Sequence, residues 1–312
     1  MPSTATLRSA SLLLLAAASL ASCGRGGPHQ TTIGVTLLTQ QDEFYRQLLD
    51  GLRKAADAKG YKLIVTSGDF DLAKQQSQID NFIVQHVDAI VVCPVDTKGI
   101  GPAIEKANAA KIPVFTADIS AEGGTVVSHI ASDNQAGGKL AADFIAKAIG
   151  GKGEVGVVGE PEVQSTIDRE AGFTAELKTF PGITLIASLN GEGKRDRSLK
   201  VADDMLQAHP QLAAVFAIND ESALGVLSSV QSHHRDNLVI VGYDASAEAQ
   251  KAIAGGTPLK ADVAQQPGAI GAQTIGAIAA YLAGTPPAAR IAVPVRIVDA
   301  DSVKAAGTPV AQ

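Results

Sequence analysis

Four positions in this chain set a planar hydrogen-bonding side chain directly behind a run of small apolar residues. They are Asp118 after VFTA, Asn219 after VFAI, Asp244 after VGY and Gln265 after DVA. Carboxylates accept hydrogen bonds, and amides donate and accept in one plane, so such a set matches the adjacent hydroxyls of a sugar or polyol. It can saturate a polyhydroxylated guest without transforming it, and it rejects a guest that leaves a buried partner unpaired. Turn and capping chemistry explains any one of these residues, because Asn and Asp favour helix N-caps. Four together, from both halves of the chain, point to a shared polar pocket. The C–H face of a sugar also wants an aromatic platform, and aromatics make up only 4% of the 312 residues, with no Trp. Phe44 and Tyr45, just after the first apolar run, and Tyr243, beside Asp244, are the candidates; core packing is their competing role.

Reaction chemistry finds little support. GKGEVG (151–156) satisfies G-x-G-x-x-G but precedes an apolar run instead of following one, which is the wrong context for a phosphate loop. The chain has no P-loop, no G-x-S-x-G elbow and no H-E-x-x-H. His233 and His234 sit in the polar stretch SSVQSHHRDN and read as surface residues at a helix end. DFDLAKQQSQID (69–80) reads as a solvated helix entry. A binding protein is expected, not an enzyme, with no cofactor and no metal. Lys and Arg number 26 against 32 Asp and Glu, a net charge of −6 with no basic block, so nucleic acid is not an expected partner.

The elements that must position these residues alternate almost without pause. IGVTLLT (33–39) leads into FYRQLLDGLRKAADAKG (44–60), where Phe44, Leu48, Leu52 and Ala55 keep a helical period and Gly60 stands at the stop. KLIVTSG, DAIVVCP and IPVFTAD follow as strands, separated by the helical LAKQQSQIDNFIVQH and IGPAIEKANAAK. A second set opens with the helix GGKLAADFIAKAIG (137–150). It continues with strands at 153–159, 184–190, 213–220, 238–244 and 260–265. Short strands separated by helices predict parallel sheets covered on both faces, and this many units suit two doubly wound α/β lobes. The first rhythm ends at SHIASDN (128–134). The connections are short, which implies a hinge between the lobes. In such sheets ligands bind beyond the carboxyl ends of the strands, where the four polar residues stand.

The N-terminus reads as an export signal. SLLLLAAASL (11–20) is too short for a permanent membrane span, and LASC (20–23) has the form of a lipobox. The expectation is a signal peptide over 1–22, a lipid on Cys23 and a tether over 23–31, tying the protein to the outer face of a cell membrane or within a periplasm. An ordinary signal peptide with an incidental Cys is the alternative. Cys93, in AIVVCPVD, then has no intramolecular disulfide partner and is a buried small hydrophobe or a pocket wall.

VVSHIASDN (126–134) with GGKLAADFIAK, AHPQLAAVFAINDESALG (208–225) and VIVGYDAS (239–246) resemble the type I periplasmic sugar-binding proteins of ABC transporters, the ribose-binding-protein-like group. The resemblance runs over essentially the whole mature chain. It implies two lobes joined by a three-strand hinge, with 32–132 plus 266–294 in the first and 133–265 plus 295–312 in the second. Among matched positions, Arg169 in DREAGF corresponds to a hydroxyl-binding Arg. Asn219, Asp244 and Gln265 correspond to polar ligands of the second lobe and hinge, Asp118 to an Asp of the first lobe, and Phe44 and Tyr45 to an aromatic pair. The chain departs from ribose binders at Asp42 and Cys93, where they carry Asn, and at Ile119, where they carry Arg. A second-lobe aromatic is replaced near Gly193. The resemblance implies a monomer that captures a pentose, a hexose or a small polyol and delivers it to an ABC permease, ribose itself being disfavoured by these departures. A sugar-sensing module for a chemoreceptor or histidine kinase is the alternative.

Overall fold

The computed structural model describes Met1 and residues 29–305; the export segment, Cys23 and the tether as far as residue 28 lie outside the described residues. The chain runs β1 (Thr32–Leu37), α1 (Glu43–Asp57), β2 (Lys62–Ser67), α2 (Leu72–Val84), β3 (Ala89–Val92), α3 (Gly101–Ala109), β4 (Val114–Ala117) and β5 (Val126–Ser132). It continues with α4 (Asn134–Ala148), β6 (Lys152–Gly159), α5 (Gln164–Leu177), β7 (Gly182–Asn190), α6 (Arg195–Ala208), β8 (Leu212–Ala217), α7 (Asp220–Ser232) and β9 (Val239–Asp244). It ends with α8 (Ala247–Ala254), β10 (Leu259–Ala264), α9 (Pro267–Leu282), β11 (Arg290–Val293), β12 (Arg296–Asp299) and α10 (Ala300–Ala305).

The strands form two six-stranded sheets, ordered β11-β5-β4-β3-β1-β2 and β12-β10-β9-β8-β6-β7. The first is parallel throughout, and the second departs only at its edge, where β12 runs antiparallel to β10. The chain passes between the sheets after β5, after β10 and after β11. The two last strands escape the sequence pattern: IAVPVRIVD contains a Pro at 294 and no turn signal of its own, so one apolar stretch serves two sheets.

Alternation explains why each sheet is covered twice. In β3, Val91 packs with Val35, Leu48 and Ile278 on one face, while Ile90 and Val92 pack with Ile79, Phe82 and Ile104 on the other. In β8, Val215 and Ala217 face Leu206, Val226 and Ile240; Ala214 and Phe216 face Ala141, Phe173 and Val241. β3 is buried from end to end and β8 at every position but Ala213, so their first polar residue is where the chain reaches the sheet's edge. The helices lie close where a side chain would hold them apart. A Cβ on Gly138 would sit 1.9 Å from the Arg169 carbonyl oxygen, so glycine there lets α4 rest on α5, the helix that carries Arg169. The stretch at 69–80 opens as a solvated helix entry, with Asp69, Asp71, Ala73 and Lys74 exposed. Asp71 caps α2 by accepting from the Lys74 amide, but Gln75 is fully buried. Its amide donates to the Cys93 carbonyl at 2.9 Å and accepts from the Val95 amide at 3.0 Å, tying α2 to the end of β3. Among the described residues no helix is long and apolar enough to cross a membrane.

Candidate functional site

Asp42, Phe44, Tyr45, Asp118, Arg169, Asn219, Asp244 and Gln265 line one cavity. Phe44, Tyr45 and Asp118 come from the first lobe, and Arg169, Asn219 and Asp244 from the second.

In the first lobe, Asp118 follows β4 with φ +67, a left-handed conformation that swings its carboxylate off the strand line. It is 4% exposed; Oδ2 accepts from the Tyr45 hydroxyl at 2.8 Å, while Oδ1 has no partner. Burial raises its pKa, against the opposing pull of Arg169 and the Tyr45 hydroxyl. Phe44 and Tyr45 meet edge to face at 5.1 Å and 85°, so Tyr45 brings a donor as well as a ring. Asp42 stands at the N-terminus of α1 without a side-chain capping bond. Burial and the neighbouring Glu221 push its pKa up to about 6.

In the second lobe the polar groups hold one another. The Arg169 guanidinium is 4% exposed and lies 3.8 Å from the centroid of the Tyr243 ring. Its Nε donates to Asn134 Oδ1 at 2.9 Å and Nη1 to the Ile218 carbonyl at 2.7 Å, with Asp244 Oδ1 at 3.9 Å. The Gln265 amide donates to Asp244 Oδ1 at 2.6 Å, leaving Gln265 Oε1 without a partner. Asn219 does two jobs: Oδ1 caps α7 by accepting from the Ser222 amide at 2.9 Å, and Nδ2 donates to the Gly193 carbonyl at 3.1 Å. Asp244 and Ala245 both have positive φ, +119 and +58. A buried acid pair holds that turn: Asp262 accepts from the Ala245 amide at 3.1 Å and Asp220 from the Ser246 amide at 2.6 Å. Burial raises the pKa of Asp244 well above the usual range; Arg169 opposes the shift and Asp220 reinforces it.

Contacts between the lobes flank the cavity. The Thr97 amide donates to the Glu162 carbonyl at 3.1 Å, the Ala247 amide to Glu43 Oε2 at 3.2 Å, and Lys194 Nζ lies 4.7 Å from the centre of the Phe70 ring. The lobes are closed on one another.

Two expectations need correction. Cys93 does not line the cavity; it is fully buried just past β3, its thiol kept protonated by burial and the nearby Asp118. Tyr243 is no platform for a guest. It is 0% exposed, carries Arg169 on its ring, and donates from its hydroxyl to Asn134 Oδ1 at 3.3 Å. Its neighbour Asp244 points to the cavity, and alternation along β9 sends Tyr243 the other way. Ile119 and Gly193 do line the cavity, so an apolar wall and a bare backbone stand where the family resemblance expects a guanidinium and an aromatic ring. Gly193 has φ +61, and a Cβ there would lie 2.7 Å from Glu160 Oε2.

Phe70, Glu160, Ser165 and Thr166 also line the cavity and were not singled out by sequence reasoning. Glu160 carried a usable signal, since it follows the apolar end of β6 as Asp118 follows that of β4. Burial and Glu162 push its pKa up to about 7, opposed by Arg169. Phe70 carried none: it enters from the short turn between β2 and α2, with φ +63.

The arrangement offers many acceptors, one guanidinium and aromatic edges, with no nucleophile paired to a base; it is built to hold a guest. Among the described residues no three His, Cys, Asp or Glu side chains converge as metal ligands. Residues 33–286 match the family model described as "Periplasmic binding protein domain". The chain is 38% identical over 270 residues to the ribose import binding protein RbsB of Bacillus subtilis, covering 84% of this chain and 87% of the relative. It is 29% identical to the xylitol-binding protein of Mycolicibacterium smegmatis, over 76% of this chain and 69% of that protein. Among solved structures, an ABC transporter solute-binding protein of Agrobacterium vitis, bound with α-D-tagatopyranose, superposes with a TM-score of 0.85 at 29% identity. The match covers 89% of this chain and 98% of that one. The chain belongs to the periplasmic binding protein domain family.

Proposed function

We propose that this family member is the substrate-binding subunit of an ABC importer, that it captures a monosaccharide or small polyol by closure of its two lobes, and that it is exported and tethered by a lipid on Cys23. The observation that carries the reading is the meeting of Asp118, Arg169, Asn219, Asp244 and Gln265 around one cavity. Closure follows because a guest touching Asp118 and Asp244 together makes contacts that only the closed state supplies. Support comes also from the names of its relatives, which bind ribose and xylitol, and from the tagatose held by a structural neighbour. Arg169 supplies its remaining guanidinium donors and the carboxylates accept from hydroxyls.

Calorimetry of the mature protein against a panel of pentoses, hexoses and polyols tests the reading, with binding at micromolar level or tighter as the expected result. Arg169→Ala and Asp244→Ala should each weaken binding at least tenfold, about 1.4 kcal/mol. Unchanged affinity in both variants means that the guest sits elsewhere. Cys23→Ser should move the protein from the membrane fraction to the soluble one, and persistence at the membrane rules the anchor out.

A further inference from the structure

The cavity gathers four carboxyl groups against one guanidinium among the described residues. Asp42, Asp118, Glu160 and Asp244 face it, and Arg169 is the one cation on its wall. Arg169 is already committed to Asn134, to the Ile218 carbonyl and to the Tyr243 ring, with Asp244 beside it. Asp118 shares one oxygen with the Tyr45 hydroxyl and leaves the other unpartnered at 4% exposure, and the buried Gln265 Oε1 is a second open acceptor. Glu160 has no hydrogen bond or ion pair to its carboxylate, and Asp42 does not use its own to cap the helix it begins. The cations nearest Asp42 are occupied: Arg195 is paired with Glu221 and Glu248, and the Arg46 guanidinium donates to the Gln41 carbonyl. No three acids converge closely enough to share a metal ion among the described residues. These acceptors therefore face the guest itself.

We infer, resting on the sugar-binding reading, that the guest carries a basic nitrogen: an amino-polyol or amino sugar whose ammonium group is received by Glu160 and the free oxygen of Asp118, with the Asp42 carboxyl on the same wall adding its charge. An ammonium brings three donors and a positive charge to a site rich in open acceptors, and charge-assisted bonds there are about twice as strong as neutral ones. Hydroxyls on the rest of the guest fall to Asp244, Asn219, Gln265 and the remaining Nη2 of Arg169. The direction of the proton exchange follows. Asp42 is raised to about 6 by burial and Glu221, against Arg46 and Arg195. Glu160 is raised to about 7 by burial, Glu162, Asp118 and Asp42, against Arg169. An ammonium favours the ionised forms of both acids, so binding near pH 6.5 releases protons, and affinity rises with pH up to about 7.5.

The test is calorimetry with the 1-amino-1-deoxy derivatives of ribitol, xylitol, sorbitol and galactitol and with the 2-amino-2-deoxyhexoses, each against its neutral parent. Titrations run in two buffers of different ionisation enthalpy. At least one amine should bind tenfold or more tighter than its parent and release protons, and Glu160→Gln or Asp42→Asn should remove most of that preference. If neutral parents bind as tightly as the amines, without proton release, this inference is overturned while the sugar-binding reading stands. If nothing in either series binds, both fall.

Discussion

At the cavity, the second lobe's polar groups other than Glu160 are bound to one another, and the first lobe's are largely open. Arg169 is gripped by Asn134, Ile218 and Tyr243, and Gln265 holds Asp244. Across from them Asp42 has no capping bond, and Asp118 keeps one bare oxygen with Tyr45 as its sole side-chain donor. A platform whose rotamers are already fixed loses little entropy when a guest arrives. Open acceptors gain most when the guest supplies their missing donors. In the proposed reading the second lobe receives the guest, and the first lobe is drawn over it by the bonds it still lacks.

This contrast makes the stability of the unliganded protein informative. The largest effect is expected from Arg169→Ala, which strands buried acceptors around the lost guanidinium and should destabilise folding by about 3 kcal/mol, read by denaturant titration. If stability is unchanged, the second lobe's network is not structural. Tyr45→Phe should cost about 1 kcal/mol, because it strips Asp118 of its hydroxyl donor; a cost near that of Arg169→Ala would erase the difference between the lobes. Lys194→Ala removes an exposed contact to Phe70 across the cleft and should weaken ligand-induced closure by about 0.5 kcal/mol. Small-angle scattering would show a slightly larger unliganded particle, and an unchanged profile would place the closing contacts elsewhere.

The open carboxylates act in the opposite direction. Asp42 near 6 and Glu160 near 7 are raised above their values in the unfolded chain. The folded protein therefore holds protons that the unfolded chain has already released. Their contribution is fully favourable below the unfolded pKa of roughly 4 and is lost as pH rises through 6 to 7. Between pH 5 and pH 8 the thermal midpoint of the unliganded protein should fall relative to that of Glu160→Gln, a comparison that keeps the opposing contribution of buried His129 in both. A wild-type midpoint that gains on the variant over this range contradicts the placement of Glu160.

What could be read from the residues follows the same division. Asp118, Asn219, Asp244 and Gln265 were legible because each interrupts an apolar run where a buried strand must surface, and for Asn219 the capping role and the cavity role proved compatible. Strand periodicity likewise exposed the two α/β lobes. Tyr243 was misread because adjacency to Asp244 was weighed over alternation, which sends neighbours along β9 to opposite faces. Cys93 was a matter of depth: a matched position in a resemblance does not say whether a smaller side chain still reaches the cavity. Phe70 reaches it from a turn with positive φ, and its partner Lys194 is more than a hundred residues away; only closure of the lobes joins them. The strands β11 and β12 share one short apolar stretch, and no local signal says that it feeds two sheets.

The central claim is that one guest is held by both lobes at once. Amide NMR of the mature protein, titrated with the tightest-binding member of the sugar, polyol and amino-polyol series, tests it most directly. The account predicts that the amides of Ile119, behind Asp118, and Ala245, behind Asp244, shift together along one saturation curve at one guest per chain. Shifts confined to one lobe, or two lobes saturating at different concentrations, would contradict it.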